Sequence, residues 1–491
     1  MNIDNLLSTH PSYTTVSNQA EYLLRSYLGG DTYRGGEYLT QYIGEETSPG
    51  DQYGKRLKST PLDNHVQTVV DIYRSFLFRD APVRELGNIA DNPLVQDWLH
   101  DTDQEGQGMD SFLKTANDYA SVMGNVWLLV DKPSYKVNTQ AEAEALGIRG
   151  YAAMYTPMSV LDWHYERNIA GKMVLEYIKV KESDNPDNMV ITLWTKDLVQ
   201  RHRIAKDDQG NPHQITETQQ FDNPLGEVPF INHSPIRSTV KGVGHSLVAD
   251  TADAQRYIYN LYSELEQTIR ISGHPTLVKT QSTSAAAGAG AIINMDNDTD
   301  PGLKPFLLQP TAAGVNGILD TIEKVSEGIK RMTHTSAVQA TKGSPMSGVA
   351  LQTERQLLNA KLADIADTLK ETEYQMWIMW LDWQALGMPE DFIIDYPDTF
   401  DMRDEHLELD FLMKARSAGV SNTMFQNEIS KQVVALTVDD DELQSKILTD
   451  MDKEDFEPHE MTDPMSGKTV VAETYEQHLA LDEMGFTHEG E

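Results

Sequence analysis

Gly467-Lys468-Thr469 is the part of this sequence that comes nearest to a nucleotide-binding motif. A phosphate-binding loop needs a further glycine five residues before Gly467, because the backbone amides after that glycine wrap the phosphates. Thr462 stands at that position, and the surrounding segment is strongly acidic. The sequence therefore favours a solvated turn over a nucleotide site.

Asp296, Asp298 and Asp300 have the alternate spacing of the oxygen ligands in a calcium loop. Such a loop also needs glycine at its sixth position and glutamate at its twelfth. Pro301 and Leu307 stand at these two positions. We interpret the segment as a turn.

Three further patterns could do chemistry but are incomplete. The apolar run Val433–Val438 ends in Asp439-Asp440, yet without a phosphate loop these acids have no metal-bound nucleotide to serve. The glycines of Gly242-Val243-Gly244-His245-Ser246 could cradle an anion, but we favour a flexible start of a helix. The fourteen histidines contain no His-Glu-x-x-His pair. We predict no catalytic site, no metal and no cofactor.

The composition limits the possible classes of protein. The chain has 491 residues, which suggests two to four compact regions, and its 76 acidic and 40 basic side chains leave a net charge of -36. This charge repels phosphate and argues against a protein that reads DNA sequence. There is no cysteine, which fits assembly in a reducing cytoplasm. The absence of a secretory signal pattern and of a long apolar run predicts a soluble protein without a membrane partner.

The pattern of apolar residues predicts an α+β fold. Residues 13–130 are predicted to be mainly helical, with Val66, Val69, Tyr73 and Leu77 at helical spacing. Residues 125–130 are predicted to form a strand. Residues 151–233 contain several short strand-like runs, which we interpret as a compact mixed sheet region.

Residues 246–272 are predicted to form an amphipathic helix that ends at Gly273, His274 and Pro275. Its apolar face consists of Leu247, Ala254, Ile258, Leu261, Leu265 and Ile269. Its polar face consists of Asp250, Asp253, Asn260, Glu264 and Gln267. We expect the first face to pack against protein and the second to meet water.

The second half of the chain is predicted to be mostly helical. Residues 276–310 suggest a small β-rich excursion, and Ile318, Ile322, Val325 and Ile329 mark a second amphipathic helix. The segment His334–Gly348 reads as a mobile loop in which Lys342 is the only charged residue. A long helix is predicted from Val349 to about Leu386. Its aromatic row is interpreted as core packing and consists of Tyr374, Trp377, Trp380 and Trp383.

The chain beyond Pro389 is predicted to be helical with acidic patches, and its last part stands apart by charge. Residues 452–491 carry an excess of acids and read as a solvated or loosely ordered tail.

Several segments, taken in order from about residue 20 to about residue 450, resemble the portal proteins of tailed bacteriophages. The N-terminal ones are Gly35-Gly36-Glu37-Tyr38-Leu39, Tyr53-Gly54-Lys55-Arg56-Leu57, Asn64–Asp71 and Met158-Ser159-Val160-Leu161-Asp162-Trp163. The later ones are Ala249-Asp250-Thr251-Ala252-Asp253-Ala254, Ser347-Gly348-Val349-Ala350-Leu351-Gln352 and Leu358-Asn359-Ala360-Lys361-Leu362.

The resemblance implies a mainly helical, ring-forming portal fold with long stem and wing helices, a mixed-sheet wing region and a small β-rich clip. Its implied parts are the wing at residues 1–243, stem helices at 244–272 and 311–333 with the clip at 273–310 between them, a tunnel loop at 334–346, a long wing helix at 347–386, the crown at 387–451 and the acidic tail at 452–491.

The resemblance also implies a twelve-fold homo-oligomeric ring at one vertex of the capsid, assembled in the host cytoplasm. The implied partners are double-stranded DNA bound without sequence specificity, the terminase large subunit, a head-tail adaptor, and the major capsid and scaffolding proteins. By analogy we expect Thr341, Lys342, Gly343 and Ser344 to lie at the DNA channel. Lys342 either touches the DNA backbone there or is an exposed lysine without a role. The polar face with Asp250, Asp253 and Glu264 either lines the pore or meets solvent outside it. We expect the apolar face of the same helix to pack against neighbouring subunits of the ring.

Two other classes remain open at this point. One is another head-tail connector or capsid protein, which would share the acidity and the oligomerisation. The other is a DNA-packaging ATPase or nuclease, which a measurable nucleotide turnover would reveal.

Overall fold

The computed structural model describes residues 2–45, 50–133, 146–273, 276–278, 300, 302, 304, 306–308, 312–339, 348–400, 405–417, 423–438, 441–454, 459–462, 469–472, 477, 481, 484 and 486–488. The chain divides into two compact units, Met1–Phe400 and Asp401–Glu491.

The first unit contains most of the helices. They are α1 Ile3–Leu7, α2 Tyr13–Leu28, α3 Gly30–Arg34, α4 Gln52–Ser59, α5 His65–Leu77, α6 Pro93–His100, α7 Met109–Met123, α8 Ala249–Gly273, α9 Ala312–Met332 and α10 Gly348–Gln384, with a 3-10 turn at Gly87–Ile89. Polar residues define several of the starts. The Asn64 side chain accepts a hydrogen bond from the Gln67 amide at α5, and Asn92 accepts one from the Leu94 amide at α6, as N-caps commonly do.

The strands of the first unit form two sheets and two small ribbons. They are β1 Val83–Glu85, β2 Val126–Asp131, β3 Tyr151–Tyr155, β4 Val160–Arg167, β5 Met173–Asp184, β6 Asn188–Thr195, β7 Leu198–Lys206, β8 Pro212–Asp222, β9 Phe230–His233, β10 Thr276–Val278, β11 Phe306–Leu308 and β12 Ile393–Asp395. The three-stranded sheet has the order β3-β2-β9, and the five-stranded sheet is a meander from β4 to β8.

The expectation of a mixed sheet is wrong, because every strand pair among the described residues is antiparallel. Short turns join successive strands of the meander, and a short turn can only connect antiparallel neighbours, since a parallel pair needs a long crossover. The broader α+β class is confirmed, because helices occur together with antiparallel sheets and most of the strands follow one another from β2 to β9.

The two larger sheets pack face to face through aromatic side chains. Trp127 and Phe230 of the three-stranded sheet lie in one buried cluster with Trp163 and Trp194 of the five-stranded sheet. The opposite face of the five-stranded sheet is covered by α1, whose Leu6 is fully buried against Leu161, Ile191 and Ile204. The five-stranded sheet therefore buries apolar residues on both faces.

The main core lies between helices α2, α5, α6, α7 and α10. The prediction that the aromatic row of α10 packs in the core is confirmed for Trp377 and Trp380, which are fully buried beside Trp98. Tyr374 is an exception, because 43% of it is exposed. The small ribbon of β1 and β12 lies beside α10, and Lys370 forms an ion pair with Asp395 at 2.9 Å.

The second unit contains α11 Glu405–Ser417, α12 Thr423–Thr437, α13 Asp441–Glu454, β13 His459–Thr462, β14 Thr469–Ala472 and β15 Thr487–His488. The strands form one antiparallel sheet of order β14-β13-β15, and Met461, Ala472 and Leu481 are buried beside it. The expectation of a solvated tail after residue 452 is therefore wrong for these segments, because apolar residues scattered between the acids meet in a small core. The run Val433–Thr437 is helical, while Asp439, Asp440 and Gly467-Lys468 lie outside the described residues.

Within the described part of the chain, none of the helices has the length and apolar character needed to cross a bilayer.

Candidate functional site

Helices α8 and α9 pack against each other and are joined at one end by the ribbon of β10 and β11. In the ribbon, Thr276 pairs with Leu308 and Val278 pairs with Phe306. We call α8, β10, β11 and α9 together the helical hairpin. The two predicted amphipathic helices and the strands between them are present, while Asp296 and Asp298 lie outside the described residues.

The apolar face of α8 is buried only along part of its length. Ile258, Leu261 and Leu265 are buried in the core of the chain itself, and Ile322 and Ile329 of α9 belong to the same cluster. The expectation that this face packs against neighbouring subunits is therefore wrong for these three residues. Ile269 is 54% exposed, contrary to the prediction. Among the described residues, the last hydrogen bond from the N-terminal region to α8 reaches Glu266, so Ile269 lies beyond that support.

Polar residues on a second side of α8 are also buried, which the sequence reasoning missed. Gln255 is fully buried, its Oε1 accepts from the Val66 amide at 2.9 Å, and its Nε2 donates to the Ser26 carbonyl at 3.1 Å. The amide of Gln255 thus satisfies backbone groups at the start of α5 and in α2. Its spacing from Tyr259 and Ser263, four residues each, was the available signal, because it places uncharged polar side chains in one line of a helix.

Asn260 forms a similar pair of bonds with the segment before α4. Its Oδ1 accepts from the Thr40 amide at 2.7 Å, and its Nδ2 donates to the Tyr38 carbonyl at 3.1 Å. The side chain therefore binds the backbone of residues 38–40 as a neighbouring strand would.

Arg56 completes the contact between α4 and α8. Its guanidinium donates to Ser263 Oγ at 2.8 Å and to the Thr40 carbonyl at 2.6 Å. It also forms a two-pronged pair with Glu45, with bonds of 2.9 and 2.8 Å, and lies 3.9 Å from the centre of the Tyr42 ring. Hydrogen bonds from Arg56 lower the pKa of the Glu45 carboxyl. The hydrogen bonds and the ion pair of the buried Arg56 guanidinium are therefore all made with groups of the same chain.

The predicted acidic residues of α8 lie on its exposed side. Asp250, Asp253 and Glu264 are all exposed, as predicted. Asp253 accepts a hydrogen bond from the Tyr22 hydroxyl at 3.0 Å, and burial raises the pKa of that hydroxyl. The described residues contain no group of three or more His, Asp or Glu side chains that could hold a metal ion, so these carboxylates form a charged surface and not a ligand cage.

The end of α9 is anchored beside the segment predicted to be a mobile loop. Tyr73 donates from its hydroxyl to the Thr333 carbonyl at 2.7 Å, and Lys361 of α10 donates to the same hydroxyl at 3.0 Å. Burial lowers the pKa of Lys361. His334 has a φ of 57° and follows the helix in the left-handed cap position, where the Thr335 amide bonds to the Lys330 carbonyl. Thr341, Lys342, Gly343 and Ser344 lie outside the described residues.

The glycine-rich segment before α8 is tightly packed, so the interpretation as a flexible start of a helix is wrong. A Cβ atom on Gly242 would lie 2.3 Å from Trp163 Nε1, and one on Gly244 would lie 2.0 Å from the Gly124 carbonyl oxygen. The helix begins only at Ala249. Glycine is needed here because the backbone lies close to the Trp163 ring and to the Gly124 carbonyl. These groups occupy the space in which an anion would have to bind.

A cavity of about 660 Å³ lies between β5, β9, the segment before α8 and α10. Its wall contains the exposed ion pair of Arg237 with Glu371 and the carboxyl of Glu227, whose pKa is raised by burial. The lining mixes charged and apolar side chains without a convergent set of polar groups. The cavity therefore defines no ligand class.

No protein-family model matches the chain, and no curated protein matches it. Solved structures similar to it include the following two. One is a chain of the neck of an empty GTA particle computed with C6 symmetry, with a TM-score of 0.42, 10% identity, and coverage of 78% of this chain and 94% of that chain. The other is a chain of the virion of a native gene transfer agent (GTA) particle, with a TM-score of 0.40, 9% identity, and coverage of 81% and 97%. Similarity at this level carries no conclusion about function.

Proposed function

We propose that this chain is a structural protein of a phage-like particle, and more specifically one subunit of a portal ring through which double-stranded DNA passes. The observation that carries the proposal is the helical hairpin, which exposes large apolar residues along its length. They are Tyr257, Ile269, Val278, Phe306, Leu319 and Met332. Exposed large apolar residues favour burial against protein, and copies arranged around an axis supply a neighbour on both sides.

The ordered sequence segments that resemble tailed-phage portals support the same proposal. Their resemblance supplies the twelve-fold ring and the expected partners, which are the terminase large subunit, a head-tail adaptor, and the major capsid and scaffolding proteins. The proposed location is the portal vertex of the virion, and the proposed role is packaging, retention and ejection of the genome without a reaction of its own.

The charge of the chain suits a conduit. A net charge of -36 repels phosphate at every position of the duplex, so DNA can slide without being held. Asp250, Asp253 and Glu264 would contribute to that repulsion if their side of α8 faces the axis. Lys342, repeated around the ring, would supply a thin basic girdle that touches the backbone without reading bases.

Electron microscopy of the purified protein tests the ring. We expect closed rings with an axial hole and a mass of twelve times 55.1 kDa. A protein that stays monomeric under all assembly conditions, with particles that fill with genome in its absence, would refute the proposal. Nucleotide turnover by the purified chain would favour a packaging enzyme instead.

A charge reversal tests the girdle. We expect Lys342→Glu to lower DNA packaging or retention while rings still form, because the substitution replaces a charge that attracts the DNA backbone with one that repels it. Lys172→Glu is the matched control, since Lys172 is exposed on the turn between β4 and β5. Unaltered packaging and retention in Lys342→Glu particles would remove this role.

A further inference from the structure

Three sides of α8 have different environments. One side packs through Ile258, Leu261 and Leu265 in the apolar core. A second side is hydrogen-bonded to the N-terminal region through Gln255, Asn260 and Ser263. The third side is exposed among the residues that the structure describes.

The open side is a straight line of residues. Asp250, Tyr257 and Glu264 are seven residues apart, which is about two helical turns, so their side chains lie above one another. Asp250 and Glu264 are exposed, and Tyr257 is 50% exposed. We call these three residues the open line.

The hydrogen-bonded side constrains the helix in a way that the apolar side does not. Apolar contacts are non-directional, so a helix packed only by Leu and Ile side chains can rotate slightly about its axis at little cost. Hydrogen bonds depend on distance and angle. Gln255, Asn260 and Ser263 span more than two turns and meet partners on four separate segments, which are α2, residues 38–40, α4 and α5.

We propose that these contacts form a root clamp, in which Gln255, Asn260 and Ser263 fix the rotation of α8 against Ser26, Tyr38, Thr40, Arg56 and Val66. By fixing this rotation, the clamp determines that the open line is the side of α8 that stays exposed on the surface of the chain. The functional meaning rests on the proposed ring, since the open line would then face the channel or the neighbouring subunit. The clamp itself is a property of the single chain.

The absence of native cysteine allows a direct test with single thiol reporters. Thr251→Cys places a thiol at a position that is 2% exposed, and Tyr257→Cys places one on the open line. Thr251 makes none of the clamp's hydrogen bonds and lies nine residues from Asn260, so its reactivity in a variant changed at Asn260 alone reports movement of the helix and not a hole left by the substitution. In the parent we expect the thiol at 257 to react quickly and the thiol at 251 to react slowly.

Gln255→Met combined with Asn260→Leu removes the clamp's hydrogen bonds from these two side chains. Met and Leu are similar in size to the residues that they replace and have a high helix propensity. We expect the thiol at 251 to react about tenfold faster or more, while helix content by circular dichroism is unchanged. Gln267→Met is the matched control, because it makes the same kind of change on α8 outside the clamp. Its reporter should react as in the parent.

The proposal is overturned if the thiol at 251 stays as protected in the double variant as in the parent. Should the double variant fail to fold, Asn260→Leu alone removes the bonds to residues 38–40 and one bond to the Arg256 carbonyl from a half-buried side chain. Unchanged protection of the thiol at 251 in that variant overturns the proposal equally. The molecular mass of the protein in the same preparations distinguishes a failure of the proposed ring from a failure of the proposed clamp. If the parent protein forms no rings, the proposed function is contradicted. The protection of the thiol at 251 tests the clamp separately, because it can be measured in a monomer as well as in a ring.

Discussion

Trp163 Nε1 donates a hydrogen bond to the backbone carbonyl oxygen of Lys241 across 2.9 Å. The Trp163 ring also stacks on His10, with ring centres 4.1 Å apart, while Asn125 donates to the Gly242 carbonyl at 3.3 Å. One tryptophan of the five-stranded sheet thus contacts both the N-terminal segment and the segment that leads into α8. The position of the helical hairpin depends on this packing.

The first prediction concerns Gly242. Its φ is +82°, and an added Cβ would meet the Trp163 ring at 2.3 Å, so we expect Gly242→Ala to lower the free energy of unfolding by about 3 kcal/mol, from overpacking and backbone strain together. Gly210→Ala is the control, because Gly210 has the same φ of +82° with nothing within 4 Å of the added atom. It should cost only about 1 kcal/mol. Urea unfolding of both variants measures the difference, and equal costs would show that the tryptophan contact is unimportant.

The second prediction concerns Glu373, a fully buried carboxylate on α10. It accepts hydrogen bonds from Arg84 at 2.5 Å, Trp377 at 3.2 Å and Tyr396 at 2.6 Å. Because Glu373→Ala leaves the Arg84 cation without its buried partner, we expect a loss of about 3 to 5 kcal/mol in the free energy of unfolding.

Glu371 of the same helix provides the control. It pairs with Arg237 at the surface, where the two side chains are 55% and 68% exposed. We expect Glu371→Ala to cost less than about 1 kcal/mol, as exposed ion pairs usually do. A similar midpoint of urea unfolding for the two variants would contradict the assignment of Glu373 as a central anchor.

The third prediction is a pH dependence. Burial raises the pKa of the Asp131 carboxyl to about 6, against hydrogen bonds from the Lys132 amide and the Tyr151 hydroxyl. The folded state therefore holds this proton more tightly than the unfolded state, whose Asp pKa is about 3.9. The stability that the protonated form contributes is full below about pH 3.9 and is lost as the pH rises through 6.

Asp131→Asn removes this ionisation, so we expect it to raise the free energy of unfolding by about 2 kcal/mol at pH 8 and by less at pH 5. Asp184→Asn is the control. Burial opposes ionisation of Asp184, but hydrogen bonds from Lys206 and Lys181 prevail and lower its pKa. That substitution should lower stability by a similar amount at pH 5 and pH 8, since both values lie above the range in which Asp184 titrates. A gain from Asp131→Asn that does not grow between pH 5 and pH 8 would refute the prediction.

The fourth prediction concerns the N-terminal helix. Leu6 is fully buried on the five-stranded sheet, and the Lys179 ammonium donates to the carbonyls of Asn5 and Ser8, each at 2.8 Å, at the end of α1. We expect Leu6→Ala to cost about 2 to 4 kcal/mol because it opens a cavity under α1. Asp4→Ala, an exposed change in the same helix, should be close to neutral. Hydrogen exchange of β5 and β6 measures the effect, and exchange unchanged by Leu6→Ala would show that α1 does not cover the sheet in solution.

The long helices could be predicted from the sequence because their periodicity is strong. The prediction of 246–272 corresponds to Ala249–Gly273, and that of Val349 to about Leu386 corresponds to Gly348–Gln384. The ribbon of β1 and β12 could not be predicted, since a strand of three residues shows no period and its partner lies far along the chain. The burial of Lys179 and Glu373 was equally invisible, because a charged residue reads as exposed until its partners are known.

The candidate site was predicted in outline only. The exposed carboxylates Asp250 and Glu264 follow from the charge pattern of α8. The buried Gln255 does not, because an uncharged amide suits either water or a buried backbone partner. The choice between these depends on tertiary contacts with residues 26 and 66, which no local pattern encodes.

The pairing of β1 with β12 has a consequence for biosynthesis. Strand β1 leaves the ribosome long before β12, and the whole helical hairpin is translated between them. The ring of Trp98 likewise lacks its contacts with Trp377 and Trp380 until those two residues have been synthesised. The core of the nascent chain is therefore incomplete, and the Trp98 indole is not fully covered, until α10 and β12 have emerged from the ribosome. Exposed apolar surface of this kind can be bound by cellular chaperones during that interval.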